Sequence, residues 1–132
     1  MKHTIQVCGH CNFTKTEEEA KGERGGVALF KRLADKLAKS PLAESFAVEQ
    51  TRCMGGCSHA CVVAFQAPGK IGWLFGDLNP RFSVPSILEF AAKYLAAPDG
   101  RVPYDERPPE LAAGLIGRLY PPGDDAAPVE GC

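Results

Sequence analysis

The sequence predicts an α/β fold in the order β-α-β-β-α, and three observations carry that expectation. Residues 3 to 7 (His3, Thr4, Ile5, Gln6, Val7) alternate polar and apolar, as a half-buried strand does. From Val27 to Lys39, apolar side chains at Val27, Phe30, Leu33, Ala34 and Leu37 recur at helical spacing until Ser40-Pro41 stops the run. From Cys61 to Gly76, two apolar runs flank the turn signal Pro68-Gly69-Lys70, which is the pattern of a β-hairpin.

The remaining elements follow in order. A polar, charged loop with Glu17, Glu18, Glu19, Lys21, Glu23 and Arg24 links the first strand to the helix. Residues 46 to 52 read as a second strand with imperfect alternation, ending at Cys53. Ser83 is placed to cap a helix with Val84, Ile87, Leu88, Ala91 and Leu95 on one face, and Pro85 is tolerated in its first turn. Trp73 and Phe75, two apart on one strand, share a face and read as core; Asp77 reads as turn chemistry. After Ala97 prolines and glycines accumulate, so the expected organisation is one domain over 1–97 and an extension over 98–132. In that extension a short helix around Leu111, Leu115, Ile116 and Leu119 precedes a loose tail from Gly123 to Cys132.

Composition narrows the function. The chain has 132 residues, enough to bury a core without disulfides or a metal to hold it, and no internal repeat. Lys+Arg number 15 against 16 Asp+Glu, a formal net charge of −1 with no basic block, which argues against a nucleic-acid partner. No segment approaches the roughly 18 apolar residues of a membrane span, and the start has no signal-peptide stretch, so a cytoplasmic protein is expected. In that reducing compartment closely spaced cysteines serve metals or redox chemistry more often than structural disulfides.

Two tight cysteine groups, Cys8-Gly-His-Cys11 and Cys53-Met-Gly-Gly-Cys57, follow the first and second strands. A right-handed βαβ crossover brings the carboxyl ends of both strands to one edge of the sheet, so the two loops can face each other. Four thiolates in that arrangement suit one tetrahedral zinc or one iron–sulfur cluster, and soft sulfur selects such centres over magnesium or calcium. Gly55 and Gly56 permit positive φ and let backbone N–H groups turn towards sulfur. The tetrapeptide CGHC is also that of disulfide isomerases, which leaves a dithiol-disulfide oxidoreductase as a further reading. Against it, a polar stretch rather than a helix pattern follows Cys11, and the second cysteine group would have no role. His10 and His59 read as hydrogen-bond donors beside the ligands or as solvated side chains. Cys61 reads as a small buried hydrophobe or a substitute ligand, and Cys132 as a free thiol.

The two cysteine groups, with CMGGCSHACVVAF from Cys53 to Phe65 closely matching the second, resemble the thioredoxin-like [2Fe-2S] ferredoxins: the Shethna-type proteins and the small iron–sulfur subunit of respiratory complex I. More narrowly, CMGGCSHACVVAFQAPGK, from Cys53 to Lys70, together with Leu74-Phe-Gly-Asp-Leu78, resembles a family of small bacterial predicted metal-binding proteins, some encoded beside cobalamin-synthesis genes. The resemblance covers about residues 3 to 97. It implies a thioredoxin-like fold and a one-electron carrier rather than an enzyme, often a homodimer, exchanging electrons with a reductase and an acceptor. It also implies a [2Fe-2S] cluster on Cys8, Cys11, Cys53 and Cys57, with zinc on the same thiolates as the alternative. Cys11 stands closer to Cys8 than the matching pair does in those relatives, and Cys61 occupies a place where they often carry proline. Cys61 is therefore the alternative fourth ligand.

Overall fold

A computed structural model describes residues 3–8, 25–52, 61–80 and 82–121. Five strands form one sheet in the order β2-β1-β3-β4-β5. They are β1 (His3–Cys8), β2 (Phe46–Thr51), β3 (Val63–Gln66), β4 (Gly72–Phe75) and β5 (Leu115–Leu119). The helices are α1 (Gly25–Ala38), α2 (Val84–Ala96) and the short α3 (Pro109–Ala113). Among the described residues no helix is long and apolar enough to cross a membrane.

The βαβ unit forms as the sequence predicts. β1 and β2 run parallel, in register from His3 opposite Phe46 to Cys8 opposite Thr51. β3 lies antiparallel on the other side of β1, and the β3–β4 hairpin turns at Gly69, whose φ of 74° needs a residue without Cβ. One cross-strand row runs Val48, Ile5, Phe65, Trp73, Arg118, and its members share a face of the sheet.

Both long helices meet that face and each other. α1 contributes Leu29, Leu33 and Leu37 to the core, and α2 contributes Ile87, Phe90, Ala91 and Tyr94. Phe90 is the hub of the aromatic packing, with ring centroids 4.8 Å from Phe65, 4.9 Å from Phe75 and 5.4 Å from Trp73. Trp73 and Phe75 are core residues, as their spacing on the strand predicts. On β1, β2 and β3 the side chains of Gln6, Glu49 and Gln66 join in a polar chain. Gln66 Nε2 donates to Gln6 Oε1 at 2.6 Å, and Gln6 Nε2 donates to Glu49 Oε1 at 3.2 Å.

Two details depart from the sequence expectation. The helix expected around residues 111 to 119 divides: α3 ends at Ala113, and the chain continues as β5 along β4. The division falls at Gly114, whose carbonyl accepts from Gly76 N–H at 2.7 Å and where a Cβ would collide with the Gly76 carbonyl oxygen. Only Leu111 of the four apolar residues is fully buried; Leu119 stands on an exposed strand. Pairing β4 satisfies backbone groups that a docked helix would have left open. Ser83, expected to cap α2, makes no side-chain cap bond. Its buried hydroxyl donates instead to the Glu110 carboxylate, which ties α3 to the start of α2.

Lys70 closes the opposite end of α2. Its ammonium donates to Leu95 O at 3.3 Å and to Tyr94 O at 3.0 Å, the latter also accepting from Ala97 N–H, so it adds to the bonding of the last-turn carbonyls. It also meets His3 Nε2 at 2.8 Å. A charged lysine can only donate there, so His3 accepts through Nε2 and carries its proton on Nδ1, which is buried without a partner. Burial, then the Lys70 charge and the chain's amino terminus, lower the His3 pKa below its ordinary value. The folded protein therefore holds His3 neutral while the unfolded chain takes up a proton near the usual histidine pKa, about 6.5. Stability should be fully present above that pH and fall as pH drops through and below it. Urea unfolding at pH 7.5 and 5.5 should show a smaller pH-dependent loss in His3→Asn than in the unaltered chain; equal losses would assign the slope elsewhere.

Candidate metal centre

Cys8, the end of β2 and Cys61 meet at one edge of the sheet. Cys8 is the last residue of β1 and pairs with Thr51, the last residue of β2; Arg52 and then Cys53 follow in sequence. β3 is antiparallel to β1, so its first residues enter from that same edge, and Cys61 stands just before them. The edge is thus shared by Cys8, the end of β2 at Thr51 and Arg52, and Cys61 through strand direction alone. Cys11, Cys53, Cys57 and Cys132, together with His10 and His59, lie outside the described residues. Among the described residues no three His, Cys, Asp or Glu side chains gather in a group able to hold a metal.

Both described cysteines are free thiols with no solvent exposure. The Cys8 N–H donates to Val62 O at 3.0 Å, which stitches the end of β1 to the start of β3. Cys61 exchanges both backbone bonds with Leu78, each at 3.4 Å, so the segment after β4 holds it in place. Asp77, immediately before Leu78, adopts φ of 57°, the left-handed turn conformation that aspartate tolerates. At the end of β2, Thr51 Oγ1 donates to Arg52 O at 2.8 Å.

The two thiols are close enough to interact electrostatically. Burial pushes the Cys61 pKa up to about 12, and the neighbouring Cys8 adds to the rise. Without a metal, Cys61 is therefore a neutral thiol in an apolar surround. A bound cation reverses that preference, because a coordinating thiol is deprotonated outright. Sulfur donors withdrawn from water at a sheet edge fit a soft metal centre.

The sequence marked Cys8 and Cys61, and Leu78 only as the end of the Leu74–Leu78 motif; its backbone pairing with Cys61 has no residue-type signature. Nor did the sequence mark the gathering of Arg101, Arg107 and Arg118 beside Trp73, since strand register brings Arg118 there and the segments between α2 and α3 bring the other two.

A family model described as "Protein of unknown function (DUF1636)" matches residues 5–122. No curated protein matches the chain. Among solved structures the chain is similar to a thioredoxin-like [2Fe-2S] ferredoxin from Aquifex aeolicus, with a TM-score of 0.58 and 22% identity over 92% of this chain and 96% of that one. A second structure, of the wild-type thioredoxin-like [2Fe-2S] ferredoxin from the same organism, gives a TM-score of 0.55 and 18% identity over 88% of this chain and 97% of that one. The fold is thioredoxin-like, as the resemblance in the sequence implies.

Proposed function

The chain belongs to the DUF1636 family, and we propose that it is a small one-electron carrier that holds a [2Fe-2S] cluster at one edge of a thioredoxin-like sheet. The observation that carries this reading is the parallel register of β1 and β2, which puts Cys8 opposite Thr51, two residues before Cys53. The ligands in this reading are Cys8, Cys11, Cys53 and Cys57, with Cys61 as the alternative fourth. Bound there, the cluster supplies one-electron transfer. The chain's own part is to fix the end of β1 through the Cys8–Val62 bond, to keep water from the Cys8 and Cys61 sulfurs, and to deliver the second cysteine group from the end of β2.

The protein in this reading is a carrier and not an enzyme, and works in the cytoplasm, as a homodimer, between a reductase and an acceptor. Cobalamin-related metabolism is one setting for it. Residues 1–97 carry the site, and the extension over 98–132 adds β5 to the far edge of the sheet.

Colour and metal content test the proposal. Protein purified without oxygen should be brown, contain two irons and two sulfides per chain, and bleach on dithionite with the EPR signal of a reduced cluster. A colourless protein with one zinc per chain would replace the electron carrier with a structural zinc module. Insulin reduction that Cys8→Ser abolishes and Cys53→Ser spares would support the dithiol reading instead.

A further inference from the structure

The second gathering of chemistry lies away from Cys8 and Cys61, at the β4–β5 side of the sheet. A pocket of about 240 Å³ is lined by Trp73, Arg101, Val102, Pro103, Arg107 and Arg118. Three arginines from three segments face it: one from the loop after α2, one from the turn before α3, and one from β5. We propose that this pocket binds a phosphate group, free or at the end of a small metabolite, through the guanidinium groups of Arg107 and Arg118 with Arg101 at the rim.

The arginines are positioned. Arg118 stands directly across from Trp73 in the strand register, at the end of the buried cross-strand row. Its guanidinium carbon lies 5.5 Å from the Trp73 ring centroid, and that of Arg107 lies 4.8 Å from the same ring. Arg107 is oriented twice more, by its Nε donating to Val102 O at 2.9 Å and by the Tyr104 ring at 5.6 Å. That bond uses the inner nitrogen and leaves the outer amino groups as donors. The ring beneath is fixed as well, because Trp73 Nε1 donates to Gly100 O at 2.8 Å. Gly100 holds φ of 83°, and a Cβ there would press on Tyr94 and the Ile71 backbone.

Among the described residues this charge is not neutralised. No carboxylate of the described residues pairs with Arg107 or Arg118; the one pair at the rim joins Arg101 Nε to Asp99 Oδ2 at 3.5 Å. Those two side chains are 67% and 63% exposed, and such pairs contribute little. Burial and the Arg118 charge both lower the Arg107 pKa, as expected where two cations are held over one ring. Guanidinium remains protonated at any physiological pH, so the repulsion is relieved by an anion rather than by proton loss. A doubly charged phosphate, with oxygens spaced for the guanidinium fork, is the chemistry such a pair selects.

The chain has a single tryptophan, so the pocket reports on itself. Inorganic phosphate and glycerol 3-phosphate, titrated separately into the full chain at constant ionic strength, should each give a saturable calorimetric signal and a change in Trp73 fluorescence. Tighter binding of glycerol 3-phosphate would make the ligand a phosphomonoester, and equal or weaker binding would make it free phosphate. Arg118→Gln and Arg107→Gln should each weaken binding about tenfold or more. Arg118→Lys should weaken it too, because an ammonium keeps the charge and loses the fork. Arg118 is exposed, and its variants should melt at the same temperature as the unaltered chain without phosphate. No saturable signal, a signal that chloride reproduces, or equal weakening by Lys36→Gln on α1 would overturn the proposal.

Discussion

Phe90→Ala is expected to cost about 3–5 kcal/mol of folding stability, the range for truncating a fully buried phenylalanine. Phe90 has no solvent exposure, and its ring packs at 4.8 to 6.2 Å from Phe65, Phe75, Trp73 and Tyr94. It thereby joins α2 to both strands of the hairpin. Edge-to-face pairs add roughly 0.5–1.5 kcal/mol each beyond the area they bury, so removing the hub loses several pair terms along with the volume. The cavity cannot close easily, because its walls are rigid rings on a sheet. Domains of this size are stable by about 5–15 kcal/mol, so this one change should bring the urea midpoint down by about a fifth or more. Phe82→Ala supplies the comparison: that ring is 70% exposed, and its loss should move stability by about 0.5 kcal/mol or less. Similar midpoints for the two variants, measured on the same metal-loaded or metal-free form, would remove α2 from the centre of the core.

The aromatic hub also explains which parts of the fold the sequence made legible. β1, α1 and α2 bury one side and wet the other, so their periodicity records the geometry directly. The hairpin announced itself through Pro68-Gly69-Lys70 between two apolar runs. β5 did not, because Leu111, Leu115, Ile116 and Leu119 fit helical spacing as well as they fit a short helix followed by an edge strand. What decided between them was the approach of Gly114 to Gly76, a contact between residues 38 positions apart that no local pattern encodes. Ser83 is a similar case. Its type and place suit a cap, but Glu110 reaches its hydroxyl from another helix and takes the bond. The cysteine groups were legible because they cluster in sequence, whereas the arginine pocket was not, because strand register brings Arg118 to it and loop segments bring Arg101 and Arg107.

On the proposed ligand set, Cys8→Ser is expected to abolish cluster binding altogether, with iron and sulfide content, visible absorption and the EPR signal all lost. Cys8 is withdrawn from solvent at the end of β1, and serine presents a hard, weakly acidic oxygen where iron requires a soft thiolate. The same loss is expected for Cys53→Ser and Cys57→Ser. The informative comparison is Cys11→Ser against Cys61→Ser. Cys61 packs as a small hydrophobe: it has no exposure, its backbone is taken up by Leu78, and burial with the neighbouring Cys8 pushes its thiol pKa to about 12. In that role Cys61→Ser should leave cluster content intact and lower stability by about 1–3 kcal/mol, the cost of burying a hydroxyl without a partner. Cys11→Ser should lose the cluster. The reverse result, a full cluster in Cys11→Ser and none in Cys61→Ser, would make Cys61 the fourth ligand and turn its proximity to Cys8 from packing into shared coordination. Loss in both would mean that the buried thiol beside Cys8 is needed to seat the cluster even without binding it.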